Sequence, residues 1–147
     1  MILTSCLPPA LEQIVQRFEQ IQDARRRYEY LLSFAKKVPP LSPQECTSEN
    51  RVPGCVSQVH LVAHLTPEGK VVFRGSSDAQ IPKGLLGLLT SGLNELTPAE
   101  ILQVSPDFIK RTGLDVSLTP SRSNGFYNMF RFLQTQVASL QPSVLEP

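Results

Sequence analysis

The residue best suited to covalent chemistry is Cys55, in the stretch NRVPGCVSQVHL that runs from Asn50 to Leu61. Pro53 and Gly54 come directly before it, and both residue types interrupt regular structure and mark turns. A buried structural cysteine is usually flanked by packing residues, so this position indicates a thiol displayed on a loop. The alternative that Cys55 is a small buried hydrophobic residue stays open, because free cysteine is among the most buried residue types.

A displayed thiol reacts as its thiolate, which a neighbouring cation or exposed backbone N–H groups favour. Arg51 is close to Cys55 in sequence, and folding could bring Arg122 near it. Two further cysteines, Cys6 and Cys46, give an odd total without the spacing of a disulfide framework or a CxxC pair. We therefore expect reduced thiols in a reducing compartment.

Two histidines, His60 and His64, could be drawn with Cys55 or Cys46 as a zinc site, since zinc prefers nitrogen and sulfur ligands. On a strand, however, residues at this spacing lie about 13 Å apart, too far to bind one metal directly without a bend. The sequence therefore predicts no metal. A papain-like Cys–His pair is also disfavoured, because no histidine lies far downstream of Cys55. The P-loop, GxGxxG and HExxH motifs do not occur.

The composition predicts one globular domain, residues 1–147, with a core of about 11–140 and flexible termini. The chain has 147 residues, 41% of them hydrophobic, which suits a single core. Lysine and arginine total 14 against 13 aspartate and glutamate residues, so we expect no nucleic-acid partner. The basic run Arg25–Arg27 is expected on a solvated helix face. No segment approaches the roughly 18 apolar residues that cross a bilayer, so we expect a soluble, unexported protein with no membrane partner.

Hydrophobic periodicity predicts helices around a small sheet. Two amphipathic helices are predicted over LEQIVQRFEQI and RRRYEYLLSFAKK, followed by a long loop that ends at Cys55. Alternation from Gln58 puts Val59, Leu61, Ala63 and Leu65 on one face of a strand and the polar residues, His60 and His64 among them, on the other. With the turn TPEG it predicts an antiparallel hairpin. A buried helix over AQIPKGLLGLLTSGL could be capped by Asp78. A short helix follows at TPAEIL, where Thr97 and Glu100 form a capping box, and another at SPDFIKRTG ends at Gly113. Ser123 or Asn124 could cap a final amphipathic helix, in which Gly125 would let backbone approach closely. The predicted fold class is α+β, a small antiparallel sheet packed against helices.

Four stretches carry a resemblance to a known family. NRVPGCVSQVHL, GSSDAQIPKGLLGLL, LTPAEIL and LTPSRSNGF occur in this order, and together they resemble the SufE family of sulfur acceptors, the accessory proteins of cysteine desulfurases in iron–sulfur cluster assembly. The resemblance extends from about Leu11 to Leu140. It implies an α+β fold similar to that of SufE and of the IscU-like scaffold proteins on which clusters are built.

The resemblance also implies a function. A pyridoxal-phosphate-dependent cysteine desulfurase, SufS-like, would hold sulfur as a persulfide, and Cys55 would take that sulfur over, stimulate the desulfurase and pass the sulfur to an iron–sulfur scaffold. The pyridoxal phosphate belongs to the partner, so this chain is expected to carry no cofactor and to be an accessory protein rather than an enzyme. We expect it in the cytoplasm, or in the plastid stroma if a transit peptide lies outside this sequence. A non-covalent adaptor that docks on a desulfurase or a scaffold is the alternative, and the sequence leaves open whether the chain forms a homodimer.

Supporting residues are assigned by the same resemblance. Arg122 and Asp78 fall on family positions near the active loop, Arg122 for electrostatic support, although helix capping explains Asp78 about as well. Gly54 would let the loop swing. Cys46 matches no acceptor position, and it is either a spectator or a thiol that resolves an oxidised Cys55.

The sequence departs from the family at two places, which affects the partner surface rather than the chemistry. His60 stands where the family often has an aromatic residue, and Val56 stands where it commonly has glutamine.

Overall fold

The computed structural model describes residues 7–55 and 57–140, and in these residues helices surround one antiparallel hairpin. The α-helices are α1 (Pro9–Glu19), α2 (Ala24–Ser33), α3 (Gln80–Gly92), α4 (Pro98–Leu102), α5 (Phe108–Thr112), α6 (Leu114–Ser117) and α7 (Pro120–Ser139); the strands are β1 (Val59–Leu65) and β2 (Val71–Ser77). Short 3-10 helices lie at Phe34–Lys37, Pro43–Glu45 and Ser48–Asn50. The α+β prediction is confirmed. The termini, including Cys6, lie outside the described residues, as does Val56.

The two strands pair antiparallel, as the alternating pattern and the turn predict. Val59 pairs with Ser77 and Leu65 with Val71. The core receives Val59, Leu61, Ala63, Val71 and Phe73, whereas Leu65, expected on the same face, is exposed at the end of β1. His60, expected on a polar face, is buried. Its backbone forms an isolated bridge with Arg51, which attaches the long loop to the strand.

Helix α3 is the central helix of the core, and its glycines explain how closely other segments approach it. A Cβ added at Gly84 would lie 2.7 Å from the carbonyl oxygen of Leu31, and one at Gly87 would overlap the carbonyl group of Phe34. The leucines between and after these glycines are buried. Glycine is therefore required here by the close approach of α2 and the turn after it, despite its cost in a helix.

Helix α7 begins one turn earlier than expected. Thr119 is its N-cap, whose Oγ1 accepts a hydrogen bond from the Arg122 N–H at 3.3 Å, and Pro120 is the first helical residue. The prediction that Ser123 or Asn124 caps this helix is wrong, because a threonine followed by proline already provides the start.

Helix α7 is fixed to the sheet by one side chain. Gln136 accepts from the Ala63 N–H at 3.0 Å and donates to the Leu61 carbonyl at 2.9 Å, so it continues the hydrogen-bonding pattern of β1. These two hydrogen bonds attach the C-terminal half of α7 to β1, the strand that follows the Cys55 loop.

Two helix signals in the sequence are confirmed and one surface expectation is not. Thr97 and Glu100 form the predicted capping box of α4, and Gly113 ends α5 in the left-handed conformation. In the basic run, the first two arginines are exposed, but Arg27 is half-buried and donates to Ser117 Oγ at 2.6 Å. Among the described residues, no helix combines the length and apolar character needed to span a membrane.

Candidate functional site

The loop that carries Cys55 is closed at its base by backbone hydrogen bonds. The Val52 N–H donates to the Val59 carbonyl at 2.8 Å, where the chain enters and leaves the loop. On the far side, Asp78 N–H donates to the Gln58 carbonyl at 3.2 Å, and the Gln58 N–H donates to the Asp78 carboxylate at 3.0 Å. The loop therefore projects from a rigid base formed by the ends of both strands.

Asp78 has a different role from the helix cap that the sequence suggested. Ala79 occupies the N-cap position of α3, and no side chain caps this helix end. The carboxylate of Asp78 instead accepts a hydrogen bond from the Gln58 N–H, so Asp78 contacts the end of the loop that carries Cys55. The interpretation of Asp78 as a cap of helix α3 is therefore wrong.

The tip of the loop contacts α7 through Gly54. This glycine has a φ of +80°, a left-handed backbone conformation that residues with a side chain rarely adopt. Asn128 donates from Nδ2 to the Gly54 carbonyl at 3.2 Å. A Cβ added at Gly54 would lie only 2.6 Å from that same Nδ2 atom. The backbone angle therefore favours glycine here, and a side chain at this position would also have to displace the Asn128 amide.

The Cys55 thiol is turned towards α7 and is half-buried. Its Sγ donates to the Gly125 carbonyl oxygen at 3.7 Å, a weak hydrogen bond. Beside it is a small cavity of about 20 Å³. The other lining residues come from the loop, from α3 and from the start of α7: Ser57, Pro82, Leu85, Ser121, Arg122, Gly125 and Met129.

Burial and charge act on this thiol in opposite directions. Burial raises the pKa of Cys55, and the positive charge of Arg51 partly offsets that rise by favouring the thiolate. The larger effect is burial, so at neutral pH the resting thiol is protonated. Arg122, which the resemblance placed near the loop, does line the cavity. The structure brings Cys55, Gly54, Asp78 and Arg122 into one region.

The other candidate residues lie outside this cavity. Cys46 Sγ is 3.5 Å from Ser76 Oγ, and the preceding Glu45 forms an ion pair with Arg74 that lowers the pKa of Glu45 to about 2. His64 Nε2 accepts a hydrogen bond from Arg74 Nε at 3.2 Å. Within residues 7–55 and 57–140, no cluster of His, Cys, Asp and Glu could hold a metal ion.

Several residues of the site were not identified from the sequence. Ser121, Gly125, Asn128 and Met129 recur at helical spacing with Arg122 and form the wall of α7 that faces Cys55. The periodicity of the final helix drew attention to its buried face instead. Because Arg122 was already a candidate, helical spacing from it could have identified the residues one and two turns further along the same helix.

Comparison with known proteins decides the family. A family model described as SufE, Fe-S metabolism associated domain, matches residues 12–137. The chain belongs to the SufE family. Membership gives this SufE-family protein a role in iron–sulfur metabolism.

Individual relatives agree with this assignment. The chain is 50% identical over 141 residues to an uncharacterized SufE-like protein of Synechocystis sp., covering 96% of this chain and 88% of that protein. It is 42% identical over 135 residues to SufE-like protein 1, chloroplastic/mitochondrial, of Arabidopsis thaliana, covering 92% of this chain but 36% of that longer protein. A solution structure of a hypothetical protein from Thermus thermophilus superposes with a TM-score of 0.78 at 31% identity, covering 92% of this chain and 98% of that one.

Substitution of Gly54 tests the contact between the loop and α7. In Gly54→Ala the left-handed backbone costs about 1–2 kcal/mol, and the new Cβ also displaces Asn128. We expect a lower free energy of unfolding and faster alkylation of Cys55 by iodoacetamide, measured on the Cys55 peptide by mass spectrometry.

Gly69→Ala is the matched control, because Gly69 has φ +81 and nothing lies within 4 Å of an added Cβ. It should lose stability through backbone strain alone and leave Cys55 alkylation unchanged. Equal alkylation rates in the two variants would show that the Asn128 contact does not govern access to Cys55.

The pH dependence of Cys55 alkylation tests the electrostatic balance. Alkylation follows the thiolate fraction, and since burial raises the pKa of Cys55, the midpoint should lie above that of a free cysteine. Arg51→Ala removes the charge that lowers this pKa, so the midpoint should move to still higher pH. Arg26→Ala, which removes an exposed cation from α2, should leave it in place. A midpoint unaffected by Arg51→Ala would contradict the assigned effect of Arg51.

Proposed function

We propose that this protein is a sulfur carrier that takes persulfide sulfur from a pyridoxal-phosphate-dependent cysteine desulfurase onto Cys55, stimulates the desulfurase and delivers the sulfur to an iron–sulfur scaffold. It acts as an accessory protein in the cytoplasm or the plastid stroma, and the pyridoxal phosphate is held by the partner. The observation that carries the proposal is the half-buried Cys55 thiol on the loop of a SufE-family domain, turned into a small cavity against α7.

The transfer is an exchange between sulfur atoms and needs no external oxidant. The Cys55 thiolate attacks the outer sulfur of the desulfurase persulfide, as a thiolate attacks a disulfide. A sulfur–sulfur bond forms to Cys55, and the bond between the two sulfur atoms of the desulfurase persulfide breaks. The desulfurase cysteine leaves as a thiolate, so the sulfane sulfur moves without net oxidation or reduction.

The resting geometry suits a carrier more than an exposed nucleophile. A protonated, half-buried thiol is a poor target for oxidants, because oxidation follows thiolate character and exposure. For transfer the loop must turn Cys55 outward. The loop tip is held by the hydrogen bond from Asn128 to Gly54, which contributes about 1 kcal/mol net, and by the weaker hydrogen bond from Cys55 to Gly125. A docking partner can offset that cost easily.

Two arginines contribute positive charge near Cys55. Arg51 favours the thiolate of Cys55 once the loop opens, and Arg122, in the cavity wall, supports the added sulfur electrostatically. Asp78 and Gly54 position the loop from its base and its tip. None of these four residues accepts sulfur, so each is a supporting residue.

Incubation with a SufS-type desulfurase and cysteine tests the carrier function. We expect the Cys55 peptide to gain the mass of one sulfur atom and the desulfurase to turn over faster. Cys55→Ser should abolish both effects while retaining the fold and binding to the desulfurase, because a hydroxyl nearly preserves volume but is not a sulfur nucleophile.

Cys46→Ser is the matched control and should behave as the wild type, since Cys46 lies against Ser76 and outside the cavity. In the same assay Arg122→Ala should slow sulfur uptake, and a wild-type rate would remove Arg122 from the site. Binding to the desulfurase without any sulfur gained on Cys55 would favour the non-covalent adaptor instead.

A further inference from the structure

Gly125 is a glycine within a long helix that the fold itself does not explain. It lies six positions into α7, where glycine is less stable than alanine by roughly 0.5–1 kcal/mol. Its φ is not in the left-handed range that favours glycine. A Cβ added there would approach Cys55 Sγ at 3.8 Å, an ordinary van der Waals contact.

Packing explains other glycines within helices of this protein, but it does not explain Gly125. A Cβ added at Gly84 would lie 2.7 Å from the Leu31 carbonyl oxygen, and one at Gly87 would overlap the Phe34 carbonyl group, so packing against backbone excludes a side chain at both. At Gly125 an alanine fits as long as Cys55 carries a free thiol. The missing methyl group therefore leaves space that the resting protein does not fill.

That space has the dimensions of one additional atom. The cavity that Cys55 and Gly125 line has a volume of about 20 Å³, enough for a single water-sized group. A second sulfur bonded to Cys55 lies about 2.05 Å from Sγ. If it pointed toward Gly125, it would come within about 1.8 Å of a Cβ placed 3.8 Å from Sγ, far inside van der Waals contact.

We propose that Gly125 is the residue that gives the Cys55 persulfide its resting place: the absent side chain leaves room for the outer sulfur inside the cavity. Pro82, Leu85 and Met129 form apolar walls around it, and Arg122 contributes a positive charge. The free thiol tolerates a methyl group at position 125, whereas the persulfide does not. This inference rests on the proposed carrier function and identifies the residue that leaves room for one additional sulfur atom on Cys55.

The test charges Cys55 with inorganic polysulfide, so that no desulfurase is needed. The Cys55 thiolate attacks a polysulfide sulfur, a bond to that sulfur forms, and the shortened polysulfide leaves. After polysulfide is removed, the persulfide is challenged with cyanide, which takes the outer sulfur as thiocyanate, and its survival is followed on the Cys55 peptide.

We expect Gly125→Ala to lose its persulfide to cyanide several-fold faster than the wild type, because the outer sulfur is forced out of the cavity. Iodoacetamide alkylation of its free thiol should match the wild type, and its thermal stability should be equal or higher. Asn124→Ala, an exposed substitution on the same helix, should match the wild type in all three measurements.

Equal persulfide lifetimes in Gly125→Ala and the wild type would overturn the inference. So would a clear loss of stability in Gly125→Ala, since it would mean that the fold itself needs the space. Failure of the carrier function looks different: polysulfide would still charge Cys55 and Gly125→Ala would still shorten its persulfide lifetime, while a desulfurase with cysteine would transfer no sulfur.

Discussion

The contact between the tip of the Cys55 loop and the first turns of α7 is the interaction on which the site depends. It consists of the hydrogen bond from Asn128 to the Gly54 carbonyl, the weak hydrogen bond from Cys55 Sγ to the Gly125 carbonyl, and a left-handed backbone at Gly54 that favours glycine. While it is formed, the Cys55 thiol lies against Gly125 and inside the cavity. The remainder of the fold holds the two sides of this contact in place: Asp78 fixes the chain just after the loop, and Gln136 fixes α7 to β1. The base of the loop is held by several backbone hydrogen bonds, whereas its tip has few contacts with α7. The loop can therefore release its thiol without unfolding of the domain.

Two opposing requirements of a sulfur carrier are reconciled by this arrangement. Transfer needs a thiolate that a large partner can reach, whereas storage needs a thiol or persulfide that small reactants cannot reach. In the resting state burial has the larger effect and raises the pKa of Cys55. Arg51 keeps a positive charge nearby, so the ionised form gains support as soon as the sulfur is less buried. A single movement of the loop would therefore increase both access and nucleophilicity.

Local patterns in the sequence predicted much of the secondary structure correctly. Alternation predicted the hairpin, and the threonine, proline and glutamate of TPAEIL predicted the capping box of α4, because both depend on neighbouring residues alone. Cys55 stood out from its position after Pro53 and Gly54, but its role as a sulfur acceptor and the supporting role of Arg122 came from the family resemblance. Asn128 was missed, and Gly125 was noted only for close backbone approach, since their contacts with the loop join residues more than 60 positions apart in sequence. Asp78 was ambiguous for the same reason: its carboxylate could bind either a helix end or a distant backbone, and only the tertiary structure distinguishes the two.

The most direct measurement is the alkylation rate of Cys55 in Asn128→Ala, followed on the Cys55 peptide and compared with the wild type. Asn124→Ala is the control, because it removes the same amide group one turn earlier, from an exposed position. If the Asn128 contact shelters the thiol, Asn128→Ala should alkylate several-fold faster at a fixed pH, while Asn124→Ala should match the wild type. The same rate in all three proteins would contradict the view that α7 holds the loop closed over Cys55.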